Sequence, residues 1–285
     1  VYLNFFENPD YASVFSGSLE IDNIVMMLSA LLGSAAVFEA GETVLVLDEI
    51  QDCPEARTAL KFFRMDGRYD VIGTGSLLGV KGYGKEPKSI PVGSETVIDM
   101  YPLDFEEFLW ANGVGAPLVE MLKKNLEMET PVPDALHNRM KQLLLQYTVV
   151  GGMPDAVQTF VDTKQMDKVL RIQRDIVRSY EDDMVKYAEK KDKSRIKECF
   201  QSIPRQLSKE NKKFQYSVIK KGSTASKYTG SLQWIEDAGI IARCYNLSIT
   251  ELPLDGNAEE EVFKVYMRDC GLFVSMLEDG TQYDI

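Results

Sequence analysis

The stretch that most constrains this chain is Val44-Leu45-Val46-Leu47-Asp48-Glu49-Ile50-Gln51, where four aliphatic residues run directly into two carboxylates. An unbroken apolar run of this kind predicts a strand buried on both faces, the habit of a parallel sheet with helices on each side. Carboxylates at the C-terminal end of such a strand fall where open α/β sheets bind their ligands. In that position Asp48 is of the type that helps hold Mg²⁺. Glu49 is of the type that positions or deprotonates an attacking water. The plainer alternative is a core strand ending in two solvated acids.

The flanking segments alternate between strand and helix patterns. Val1 to Phe6 reads as a strand, and Leu19 to Leu32 carries apolar residues at helical spacing up to Gly33. Pro54 opens a second helix. Tyr69 to Ser76 reads as a strand ending in small polar residues, and Thr96 to Leu103 as another. This alternation predicts βαβ units and a parallel sheet. Thr74 and Ser76, at the end of the strand after the acidic one, are of the type that touches a terminal phosphate or the attacking water. Thr-Gly-Ser at a strand end is also ordinary turn chemistry.

From Asp104 the chain is predicted helical to about residue 190, with no strand signal. Arg195–Ile203 then reads as one helix, Pro204 as the start of another, and Thr224–Ala238 as a third, stopped by Gly239. Two strand candidates follow, Ile240–Tyr245 and Val262–Met267. Three helices and a two-stranded ribbon suggest a winged helix.

The net charge of −12 hides a split. Residues 191–230 carry eleven Lys or Arg against three acids, and residues 231–285 three against eleven, local balances of +8 and −8. Such asymmetry marks a partner-facing patch. Lys212, Lys213, Lys220, Lys221 and Lys227 are candidates for DNA phosphates, with Phe214, Tyr216 and Tyr228 among them; a solvated lysine-rich surface is the alternative. The four cysteines are scattered without metal-ligand spacing, and His137 is the single histidine. No run of about 18 apolar residues occurs, so no membrane span is expected and the expected location is cytoplasmic. The chain opens on Val1 without an initiator Met, which suggests a fragment or a processed chain. The nearest approach to a phosphate-binding loop is Gly79 to Lys85. Glu86 follows it where a hydroxyl is needed, and no helix N-terminus backs it, so it reads as a decoy.

Several motifs occur in a fixed order: Leu47-Asp48-Glu49-Ile50-Gln51, Gly75-Ser76-Leu77-Leu78-Gly79, Pro91-Val92-Gly93, Tyr101 to Leu109, Gly151-Gly152-Met153-Pro154, Asp237-Ala238-Gly239-Ile240 and Phe263 to Leu272. In these the chain resembles the bacterial and archaeal AAA-type P-loop ATPases built from an ATPase core, a helical lid, a winged-helix-like domain and a nuclease-like domain. The resemblance implies an α/β fold with a parallel P-loop (ASCE-type) sheet core over 1–103, an α-helical lid over 104–190 and a winged-helix-like domain over 191–285. It implies ATP and Mg²⁺ as cofactors. Asp48 would then assist the metal, Asp48, Glu49 and Ser76 would bind the cofactor, and Glu49 would polarise water. Thr74 or Ser76 would serve as the sensor at the end of the next strand.

Two departures from the family pattern stand out. The family's phosphate-binding loop and the strand leading into it precede the segment matched by Val1–Phe6, and the nuclease-like domain follows the equivalent of Ile285. Ser94 stands where many relatives carry a basic residue that could serve as an arginine finger. Two readings stay open: an ATPase that couples Mg-ATP hydrolysis to conformational change and acts on DNA, and a non-hydrolysing DNA- or protein-binding regulatory module. The expected partners are nucleotide and, through 191–230, DNA; a homo-oligomer is a further alternative.

Overall fold

The computed structural model describes residues 1–76, 93–188 and 191–277. The chain divides into two compact units, Val1–Asp99 and Met100–Ile285.

The first unit is built on three parallel strands in the order β1 (Tyr2–Asn4), β2 (Val44–Asp48), β3 (Asp70–Gly73). The acidic strand is therefore the middle one. Helices α1 (Ile21–Leu32) and α2 (Pro54–Asp66) supply the crossovers that parallel neighbours require. Gly33 and Gly67 stop them, both at positive φ. Leu3, Leu45 and Leu47 are fully buried against Ile24 and Leu28 of α1 and Ala56, Ala59 and Phe63 of α2. Each such leucine contributes roughly 1.5–3 kcal/mol of burial.

The expectation that β2 is buried on both faces is not met among the described residues. Its residues alternate, with Leu45 and Leu47 inside while Val44 is 42% exposed and Ile72 of β3 is 52% exposed. The helices pack on the Leu3–Leu45–Leu47 face, and among the described residues of this unit no helix covers the face carrying Tyr2, Asn4 and Asp48. Thr96–Leu103 is also not a strand. Its described backbone pairs with no neighbouring strand, and Val97, Ile98 and Met100 are exposed. The near-match loop Gly79–Lys85 lies outside the described residues.

The second unit begins with five helices: α3 (Phe105–Ala111), α4 (Ala116–Glu127), α5 (Asp134–Val150), α6 (Pro154–Thr163) and α7 (Met166–Tyr187). Asp104 and Glu107 close a capping box at the start of α3. Phe108, Leu143, Val157 and Phe160 form its core, with Phe108 stacked on Phe160. Among the described residues no helix is long and apolar enough to cross a membrane.

Three further helices follow, α8 (Lys193–Leu207), α9 (Tyr216–Ile219) and α10 (Ala225–Asp237). The antiparallel strands β4 (Ile241–Leu247) and β5 (Ala258–Met267) and a last helix, α11 (Cys270–Ser275), come after them. The break expected at Pro204 does not occur: α8 runs through it, and its buried face continues from Ile196, Cys199, Phe200 and Ile203 to Gln206 on the far side of the proline. Tertiary burial of that face outweighs the loss of one backbone donor.

Two of the ordered motifs meet at one buried carboxylate. Asp269 caps α11, accepting from the Leu272 amide at 2.7 Å, and also accepts from the Gly152 amide at 2.7 Å. Burial pushes its carboxyl up, against backbone N–H groups of Gly152, Leu272, Gly271 and Met153 that favour the charged form. The Leu103 amide donates to the Gly152 carbonyl, and the Tyr147 hydroxyl donates to the Leu103 carbonyl. Gly151 sits at φ +71°, and a Cβ there would overlap the Asp269 carboxylate. The Gly151-Gly152 pair is thus explained by close packing.

Candidate functional site

The strand ends gather the predicted site residues of the first unit. β1 and β2 pair with Asn4 beside Asp48, and β2 and β3 with Leu47 beside Gly73. Thr74 is then held from both sides. Its amide donates to the Leu47 carbonyl at 2.9 Å, and its carbonyl accepts from the Ile50 amide at 2.9 Å. In that position the Thr74 hydroxyl donates to Asp48 Oδ1. The Glu49 amide donates to the same oxygen at 3.1 Å.

Asp48 Oδ2 is served from the other neighbouring strand. The Tyr2 hydroxyl donates to it, and so does Asn4 Nδ2 at 3.0 Å. Asn4 is itself anchored, its Oδ1 accepting from the amides of Phe6 and Glu7 at 2.9 and 2.8 Å. Four donors thus converge on one carboxylate. The Thr74 hydroxyl first, then Tyr2, hold the Asp48 carboxyl below the usual carboxylate range. In return, the hydrogen bond to Asp48 raises the Tyr2 phenol above its ordinary value.

Glu49 leaves the strand in the left-handed region, at φ 53°. A non-glycine residue there is uncommon and marks a special turn. The turn carries the chain into a 3-10 segment, Ile50–Asp52. Gln51 Nε2 donates to Glu49 Oε2, which orients the second carboxylate. The Gln51 amide lies against Gly75, where a Cβ would overlap Gln51 Oε1. Ser76 is exposed, two residues beyond Thr74.

Asp48, Glu49 and Thr74 are therefore brought together. Tyr2, Asn4 and Gln51 belong to the same cluster and are absent from the sequence-based site. Tyr2 and Asn4 alternate with the buried Leu3, so strand periodicity together with a parallel register would have placed them beside Asp48.

The candidate nucleic-acid residues surround α9 in the second unit. Lys212 and Lys213 precede it, Lys220 and Lys221 follow it, and Lys227 lies in the first turn of α10. Lys220 is paired with Glu198 of α8 at 3.3 Å. The aromatic residues among them are not free to stack on bases. Phe214 is buried against Phe263, and Tyr228 is buried with its hydroxyl donating to Glu198 at 2.6 Å. Phe214 and Tyr228 are core residues, and Tyr216 is half-buried with its ring edge-on to Phe214.

Residues 141–283 match the family model of a domain of unknown function (DUF8612), a span of half the chain. The chain belongs to this family. The DUF8612 region covers the last part of the helical array, α8–α10, the ribbon and α11, and so includes the Asp269 node. Residues 1–109, ahead of it, match the family model of an AAA domain. That match takes in the whole Asp48 cluster, supports an AAA-type P-loop ATPase family, and suggests nucleotide binding for this part of the DUF8612 protein. None of the curated proteins matches. Among solved structures, the Walker-type ATPase of Pyrococcus abyssi is similar at 13% identity, with a TM-score of 0.49 over 97% of this chain and 71% of that one.

Proposed function

We propose that this chain is part of an AAA-type ATPase that hydrolyses Mg-ATP at the Asp48–Glu49 strand end and couples turnover to its helical regions. The observation that carries this reading is the Thr74–Asp48 hydrogen bond across adjacent parallel strands, inside the span that matches an AAA domain. It joins an acid at the end of the middle strand to a hydroxyl at the end of the next. That is the placement expected for a metal-side acid and a sensor.

The donor set suits Mg²⁺. It offers hard oxygens only, from an ionised carboxylate and nearby hydroxyls. Among the described residues no group of three or more His, Cys, Asp or Glu forms a cage. Mg²⁺ is ordinarily held by one or two carboxylates together with substrate phosphates, and an all-protein cage is unusual for it. Asp48, whose two oxygens already accept four donors, would exchange one of them to hold it, with Ser76 and the cofactor's phosphates nearby. When bound, the ion neutralises charge on the phosphates. Glu49, oriented by Gln51, accepts a proton from the attacking water or aligns it, and Thr74 keeps Asp48 ionised and in place. The test is ATP turnover in Glu49→Gln, which should collapse; unchanged turnover contradicts the assignment.

In this reading 1–103 is the ATPase core, 104–190 a helical lid and 191–285 a winged-helix-like domain. The order α8, α9, α10, β4, β5 supports the last assignment. Lys212, Lys221 and Lys227 are exposed around α9 and the start of α10, which supports contact with DNA phosphates. Replacing Lys212, Lys213, Lys220 and Lys221 with Ala should weaken duplex binding. It should also flatten the plot of log affinity against log salt, by roughly 0.9 for each phosphate no longer neutralised. Lys220, already paired with Glu198, should contribute least. Fluorescence anisotropy across a salt series reads both effects, and an unchanged slope removes DNA from the account.

A further inference from the structure

The loop joining β4 and β5 combines features that a solvated hairpin tip does not need. Ile249, Leu252 and Leu254 are 52%, 85% and 45% exposed. They do not belong to a loose loop. Asn257 braces it, donating from Nδ2 to the carbonyls of Glu251 and Pro253 at 2.8 and 3.3 Å and accepting from the Ser248 amide at 2.9 Å. Aliphatic side chains held out to water on a fixed frame mark a contact surface.

Around them the charge is of one sign. No base occurs between Arg243 and Lys264, while Glu251, Asp255 and Glu259–Glu261 are all exposed. The pairing register jumps from Tyr245↔Phe263 to Asn246↔Glu259. This bulge turns Glu260 and Glu261 out of the ladder. The opposite charge lies next to it in the same unit, because the Phe214 amide donates to the Phe263 carbonyl at 2.8 Å. That bond brings Lys212 and Lys213 to the free edge of β5. Among the described residues no ion pair within the chain engages Lys212, Lys213, Glu260 or Glu261.

An acidic patch and a basic patch side by side, with exposed aliphatics at hand, make a surface complementary to itself. A two-fold axis through such a surface sets the acids of each copy against the lysines of the other. We propose that the β4–β5 tip and the adjoining Lys212–Lys213 segment form the contact by which two copies of this chain pair, a contact that withdraws these two lysines from DNA and leaves Lys221 and Lys227 to it.

Sedimentation velocity on the full chain over a concentration and salt series tests this. The protein should dimerise at low salt and dissociate as salt rises. Glu260→Lys with Glu261→Lys, Lys212→Glu with Lys213→Glu, and Leu252→Asp should each weaken self-association at least about tenfold, the effect of losing roughly 1.4 kcal/mol. Glu260, Glu261, Lys212 and Leu252 are exposed and Lys213 is half-buried, and thermal melts should stay near wild type. Mixing the two charge-reversed proteins should restore a dimer, since each then offers what the other lacks; general damage to the fold would not be repaired by mixing. A protein that stays monomeric at low salt, a dimer indifferent to the reversals, or a mixture that stays monomeric overturns the proposal.

Discussion

Gly152→Ala should destabilise the second unit by at least about 4 kcal/mol, at the far end of what single substitutions do. A Cβ at this position would overlap the Leu103 carbonyl oxygen and crowd the Leu103 amide, both backbone atoms that no rotamer change can move. The same glycine accepts from the Leu103 amide at 2.8 Å and donates to buried Asp269 at 2.7 Å. Relieving the overlap therefore breaks both bonds and strands a carboxylate in the interior. Urea unfolding read by circular dichroism checks it. Gly230→Ala is the control: it lies in α10, nothing stands within 4 Å of an added Cβ, and helix propensity favours alanine by about 0.5–1 kcal/mol. A Gly152→Ala protein as stable as Gly230→Ala would mean that the Leu103–Gly152–Asp269 junction does not hold this unit together.

The second large effect falls on nucleotide binding. Asp48→Ala should remove the Mg²⁺-dependent part of ATP affinity, by about 10–100-fold, the usual cost of losing a group that orients or assists a metal. Alanine is preferred to asparagine because the amide would keep one acceptor oxygen and set its NH₂ group against the donors that meet the other. Those partners lie at an exposed strand end, so water can replace the lost acceptor and the fold should survive. Calorimetric titration with ATP, in Mg²⁺ and in chelator, separates the outcomes. The wild type should bind more tightly with the ion, and the variant should show little difference. A variant that keeps the full Mg²⁺ effect would take Asp48 out of the site.

Much of the first unit was legible because its signals are local. The run Val44–Leu47, the helical spacing from Ile21 to Leu32 and the stops at Gly33 and Gly67 each act through backbone chemistry within a few residues. Asp48 and Thr74 could be paired in advance because parallel βαβ order puts consecutive strand ends side by side. Tyr2 and Asn4 were not legible, since their role depends on register between segments more than 40 residues apart. The strand expected at 96–103 failed for the same kind of reason: its apolar pattern is real, but strands exist only with a partner. Pro204 misled because propensity counts a missing donor and cannot count the buried face of α8. The Gly151-Gly152 motif read as a family marker, and only the packing against Leu103 and Asp269 gives it a physical cause.

The lysine-rich stretch divides in the same way. Its charge was visible in composition, while the fate of its aromatics was decided by β5: Phe214 and Tyr228 point into the core that the ribbon and α8 complete. Lysines without free aromatics are suited to phosphates and carry no base readout, so any nucleic acid bound here should be bound without sequence preference.

Asp48 and Glu49 as a hydrolytic nucleotide site are tested most directly by two numbers from one preparation. Steady-state ATP turnover and ATP affinity should be determined for the full-length protein and for Glu49→Gln. Glutamine keeps the size of the side chain and its contact with Gln51 but cannot take a proton. Turnover should fall by about 10²–10⁴-fold, the contribution of a positioned general base, while affinity is kept or tightened. Equal turnover in the two proteins would contradict the account.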